Sequence, residues 1–109
     1  NILFVLTTIN IYVYDLYINK QREETMKTQI DKKSLYYSHQ GNNTIYYSYN
    51  TCVAVKTPID TYVSENIWSV TTAKHLNRIE EITGSDKAYR MKYRDFRQFC
   101  KDNNINKYY

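Results

Sequence analysis

Glycine and proline are almost missing from this chain: Gly41, Gly84 and Pro58 are the whole complement. So few chain-breakers leave no low-complexity block and no internal repeat, and 109 residues fit one domain able to bury its own core. Cysteine is equally scarce. Cys52 and Cys100 fall at core-facing positions without paired spacing, which excludes a disulfide framework and a zinc knuckle and fits reduced thiols in a cytoplasmic protein. His39 and His75 share no metal-ligand spacing with them, so neither a metal nor another cofactor is expected. A good membrane span is lacking too. The most apolar stretch, residues 2–18, is 17 residues long, carries Asn10 and Asp15, and has neither a basic region ahead of it nor a small-residue cleavage site.

The chain opens on Asn1 and reaches its first methionine at Met26. Residues 21–25, Gln-Arg-Glu-Glu-Thr, back-translate to a purine-rich run of ribosome-binding type at ordinary spacing before Met26. Residues 1–25 are therefore expected to be translated upstream leader, the alternative being an N-terminal membrane anchor over residues 2–18. Residues 26–33 are polar and charged and are expected as a flexible lead-in.

Tyrosine is what the chain has in excess, thirteen residues of it, alongside abundant Asn, Lys and Ile. These are the residues that AT-rich codons favour, so part of the excess records genome composition. Tyr and Ile are also strand formers. Residues 34–38 and 44–49 are β-branched and aromatic runs joined by His39-Gln40-Gly41-Asn42-Asn43, a hairpin pattern. Residues 52–56 form a third run, ended by Pro58, and residues 61–64 a fourth. Helices follow. Ser69 or Thr71 caps a helix over residues 71–83, with Val70, Ala73, Leu76, Ile79 and Ile82 as its apolar stripe and Gly84 as its stop. A second helix is expected over residues 86–102, with Ala88, Tyr89, Tyr93, Phe96, Phe99 and Cys100 on one face. The fold class is α+β: a three- to four-stranded antiparallel meander followed by two helices packed on one of its faces, a single domain over residues 34–102, and a frayed tail over 103–109. Alternation leaves some tyrosines on an outer sheet face able to stack bases or grip a peptide.

Charge is concentrated at the C-terminal end. From residue 85 to the end there are seven Lys and Arg against three Asp, a surplus equal to the whole chain's net charge of +4. On the second helix, Lys87, Arg90, Arg94, Arg97 and Lys101 fall at i, i+3, i+7, i+10 and i+14, one basic side suited to nucleic-acid phosphates or an acidic surface of a host protein, or simply a solvated face. No catalytic set is expected. His75 could act as a base only with Thr71 or Thr72 beside it, and no orienting carboxylate converges on it; a capping or hydrogen-bonding role at the sheet–helix junction is the expectation. Trp68 reads as a core plug at the same junction.

Residues 47–55, 62–65 and 68–77 resemble a family of small proteins encoded mainly by bacteriophages, prophages and other mobile elements and classed as a domain of unknown function. The pattern is Ser-Tyr-x-Thr-x-Val-Ala, a short variable hairpin, then Ser-x-Thr-Thr-x-Lys-His-x-Asn. It falls here on Ser48, Tyr49, Thr51, Val53 and Ala54, then on Ser69, Thr71, Thr72, Lys74, His75 and Asn77, with Trp68 alongside. Pro58-Ile59 departs from the Gly/Asp/Asn-type turn usual in that hairpin. The resemblance implies a small accessory protein acting in the cytoplasm of a bacterial host. It brings no activity with it, so the expectation is a non-catalytic binding module for nucleic acid or a host protein. The alternatives are a small enzyme built on His75 and a membrane-anchored interaction protein.

Overall fold

The computed structural model describes residues 27–109. The expected leader, or membrane anchor, over residues 1–25 lies outside the described residues. Five strands form one antiparallel meander in sequence order: β1 (Thr28–Ile30), β2 (Leu35–Gln40), β3 (Asn43–Ser48), β4 (Thr51–Lys56) and β5 (Thr61–Val63). Two helices follow, α1 (Val70–Thr83) and α2 (Tyr93–Asp102), separated by a 3-10 turn at Lys87–Tyr89.

Local chemistry sets each turn. Gln40 pairs with Asn43, leaving Gly41-Asn42 as a two-residue loop, and Gly41 takes the positive φ (60°) that the first central position of such a hairpin requires. At the β4–β5 turn the Thr57 Oγ1 accepts from the Ile59 and Asp60 amides at 3.3 and 3.0 Å, and Pro58 sits in the loop where no ladder bond is asked of it. One irregularity shapes the centre. Tyr46 pairs with Ala54 but Tyr47 pairs with Cys52, so Val53 is the extra residue of a bulge, and its carbonyl accepts from the Ser64 amide at 3.0 Å.

The bulge lets Val53 and Ala54 share a face. That face packs Leu35, Tyr46, Val53, Ala54 and Val63 against Leu76 and Ile79 of α1. The opposite face packs Ile45, Tyr47, Cys52 and Val55 against Phe96 and Cys100 of α2 and against Ile105. The two helices thus cover opposite faces, not one face as the sequence reading expects, and the molecule has three layers. Tyr36 lies across from Tyr47 and Tyr37 across from Tyr46, so both faces bury tyrosine where the sequence reading expects an outer face. Tyr46 and Tyr47 are both buried, which leaves no open aromatic sheet face at the centre.

Helix α1 starts and stops as expected. The Ser69 Oγ accepts from the Thr72 amide at 3.2 Å, and Gly84 at φ 75° ends the helix with its amide donating to the Glu80 carbonyl at 2.8 Å. The expected apolar stripe is only half right. Val70 and Ile82 are exposed, because a strict three-residue repeat rotates by about 60° per step round the helix and its ends turn out to solvent. The buried face is Thr72, His75, Leu76, Ile79 and Glu80.

Three further expectations are corrected. Residues 28–30 of the lead-in form an edge strand on β2. The helix expected over residues 86–102 breaks at Met91, whose amide donates to the Val63 carbonyl and whose carbonyl accepts from the Glu65 amide, each at 2.7 Å. No glycine or proline marks that break; pairing with β5 imposes it. The tail does not fray. Ile105 is buried, the Lys107 carbonyl accepts from the Cys52 amide at 2.7 Å, and the Tyr109 amide donates to the Asn50 carbonyl at 2.9 Å.

Candidate functional site

Two constellations stand out, one inside and one on the surface. The inner one joins two separate stretches of chain. Ser48 ends β3, and Thr72 and His75 face it from the first turns of α1. The Ser48 Oγ lies 2.7 Å from the His75 Nδ1 and 3.0 Å from the Thr72 Oγ1, and the Ser69 hydroxyl donates to the Thr72 Oγ1 at 3.3 Å. Ser48, Thr72 and His75 are all buried. Burial, helped by the nearby Lys33 charge, holds His75 below the ordinary imidazole value. With Nδ1 as the acceptor, Ser69, Thr72 and Ser48 can each donate to the next group in turn. Tyr49 lies just outside, its ring 5.9 Å from His75 and its backbone at a φ of 57°, a left-handed value that costs a residue with a Cβ on the order of 1 kcal/mol. Its amide holds it there by donating to the Ser34 carbonyl at 2.7 Å.

No carboxylate bonds His75 among the described residues, and Ser48 is closed from solvent. The cluster is a joint between sheet and helix. Thr71 is exposed and Thr72 reaches His75 only through Ser48, so neither threonine stands in direct partnership with the imidazole. The other motif positions spread out: Thr51 pairs with Ser48, Val53 and Ala54 form the bulge, Trp68 packs edge-on to Tyr93 at 5.4 Å, and Lys74 is exposed. Asn77 accepts from Arg90.

Of the five expected cations, the structure brings three together. Arg94, Arg97 and Lys101 share one side of α2, at i, i+3 and i+7. Lys87 lies on the 3-10 turn, off that helix. Arg90 is withdrawn altogether. Its Nε and Nη2 donate to the two Glu80 oxygens at 3.0 and 2.5 Å, its Nη2 also donates to the Asn77 Oδ1 at 3.0 Å, and both side chains of the pair are about nine-tenths covered. Arg94 is open to solvent, with only Asp95 near it at 3.9 Å. Arg97 runs inward along the helix, and its Nη1 is buried without a hydrogen-bond partner. It lies beside the free thiols of Cys52 and Cys100. The bond these thiols share, with burial, pushes Cys52 up; the same bond and the Arg97 charge pull Cys100 down.

The tail adds what the sequence reading missed. The Lys107 Nζ stands 5.2 Å from the Tyr108 ring centre and 6.0 Å from that of Tyr93 at the start of α2. Hydrogen bonds with those two tyrosines raise Lys107 above the ordinary lysine value, so it stays charged. The sequence reads Lys107-Tyr108-Tyr109 there as a polar terminus, which gives no hint of docking. Lys107, Tyr93 and Tyr108 thus form one cation–ring cluster where the tail meets the start of α2, the helix that also carries Arg94 and Lys101.

Among the described residues, no group of three or more His, Cys, Asp or Glu is placed to hold a metal, and no helix is long and apolar enough to cross a membrane. Neither the curated proteins nor the solved structures contain a match. A family model described as a family of unknown function (DUF8033) matches residues 17–97, a span that starts upstream of Met26 and takes in the sheet, α1 and the first half of α2, and the chain belongs to that family.

Proposed function

We propose that this chain is a non-catalytic module that binds single-stranded nucleic acid along the basic side of α2 and the docked tail. The observation that carries the reading is the pairing of a cation with ring faces: Lys107 over Tyr108 and over Tyr93, the latter at the start of the helix that also carries the exposed Arg94, which has Asp95 at 3.9 Å, and the exposed Lys101. Phosphates need cations, bases stack on tyrosine, and strips that offer both accept single strands with little sequence preference. Nothing on α2 supplies the Asn or Gln pattern that reads base edges. The resemblance to phage and mobile-element proteins sets the context, an accessory protein acting in the cytoplasm of a bacterial host.

Fluorescence anisotropy with a twelve-nucleotide mixed-sequence single strand, as DNA and as RNA, and with the matching duplex tests it. The full chain binds the single strands at low salt, more tightly than the duplex, and Arg94→Glu with Lys101→Glu weakens binding at least tenfold while circular dichroism stays unchanged. Absence of binding, or binding that both reversals leave intact, overturns the reading. In that case an acidic surface of a host protein is the remaining partner for this strip.

A further inference from the structure

A second surface lies at the β5 edge, away from the basic strip. In an antiparallel strand the amide and carbonyl of one residue point to the same side. The Val63 carbonyl accepts from Met91, outside the sheet, and the Glu65 amide donates to the Met91 carbonyl, so Val63 and, two residues earlier, Thr61 present their backbone groups outward. Met91 sits across from Ser64 as a parallel bridge. Were the chain extended one step before Met91, the backbone of Tyr89 would take the Val63 amide and the Thr61 carbonyl. It does not, because Arg90 is held by Glu80 and Tyr89 belongs to the 3-10 turn, its amide donating to the Asp86 carbonyl at 3.0 Å. The native chain starts a sixth strand and abandons it after one residue.

The vacated position is a slot. An open groove of about 710 Å³ lies at the edge, lined by Thr61 and Tyr62 of β5, by Thr83 at the end of α1 and the residues to Asp86 that follow it, and by Tyr89 and Met91. Ile59 and Tyr89 at its rim are 94% and 80% exposed. Its charge is opposite to that of α2: Asp60, Asp86 and the carbonyl end of α1, which has no basic residue in its last turn, face a single cation, Lys56.

We infer that the β5 edge receives an extended, cationic peptide segment of a partner protein as an added strand, one residue of which makes the two backbone bonds that Tyr89 forgoes. This is independent of the nucleic-acid reading, which rests on other residues. The probe is an acetylated and amidated heptapeptide of alternating lysine and valine, titrated into the full, nitrogen-15-labelled chain. Expected are slowed hydrogen exchange and a shift at the Val63 amide. Ile59→Lys, a change at a side chain open on all sides, weakens binding at least fivefold. Methylating every valine nitrogen, or in a second peptide every lysine nitrogen, abolishes binding in one of the two, because only one set of amides faces the edge. A Val63 amide unchanged at saturation, or equal binding of both methylated peptides and the parent, overturns the inference.

Discussion

Removing Arg90 should unfold the domain more readily than any other loss of a single cation, although by spacing alone it belongs to the binding stripe. Its guanidinium meets Glu80 with two bonds and Asn77 with a third, and the side chains of the ion pair are only 11% and 8% exposed. Arg90→Ala leaves the Glu80 carboxylate covered and unpaired, which costs about 3 kcal/mol, the low end for a broken buried pair because neither group is wholly closed off. For a domain of this size that is a fall in Tm of roughly 12–24 °C. Arg90→Lys recovers only part of it, since an ammonium cannot fork to both oxygens. Glu80→Leu with Arg90→Met recovers most, since the uncompensated charge is gone. Urea unfolding of the four proteins, with the slope checked for constancy, measures the free energies, and thermal unfolding measures the shift in Tm. A cost below about 1 kcal/mol for Arg90→Ala would refute the reasoning and return Arg90 to the surface stripe.

Other outcomes follow from the same contacts. An imidazole held low in the fold takes its proton first in the unfolded chain, so His75 contributes no pH slope well above 6.5, and stability falls as pH drops below that value. His75→Asn should flatten the loss measured by urea unfolding between pH 7.5 and 5, and an unchanged slope would contradict it. Tyr49→Asn, which tolerates the left-handed backbone, should raise stability by about 0.5–1 kcal/mol in thermal unfolding; a loss would mean that the ring's contact with His75 outweighs the strain. Ile105→Ala should cost about 2–4 kcal/mol, as for a filled core position, and a cost near zero would mean that the tail frays in solution after all.

Much of the sheet was legible because turns and strands announce themselves locally. Gly41-Asn42 in the β2–β3 hairpin, Pro58 after β4, the Ser69 cap and the Gly84 stop are each dictated by a few neighbouring residues. The strand β1 was not, being three residues long and polar. What each helix covers was hidden for a different reason. Residues 45–48 are buried without interruption, the mark of a sheet packed on both sides, but tyrosines look amphipathic and suggested an outer face. The break at Met91 has no local cause, since its pairing partners Val63 and Glu65 lie far back in the chain. That one tertiary contact divides the basic stripe, sending Arg90 to Glu80 and leaving Arg94, Arg97 and Lys101 on α2. The motif positions Ser48, Ser69, Thr72 and His75 proved to be one hydrogen-bonded joint, in keeping with the hydrogen-bonding role expected of His75 at the sheet–helix junction. Tyr108 and Lys107 were invisible as site residues because docking of the tail depends on Ile105 and on backbone bonds to β4.

The salt dependence of single-strand binding tests the central claim most directly. If Arg94, Lys101 and Lys107 each neutralise a phosphate, the logarithm of affinity falls against the logarithm of salt with a slope of about −2, and replacing all three by Gln brings the slope close to zero while the fold is kept. A slope that the triple replacement leaves unchanged would place any binding elsewhere on the molecule and contradict the account.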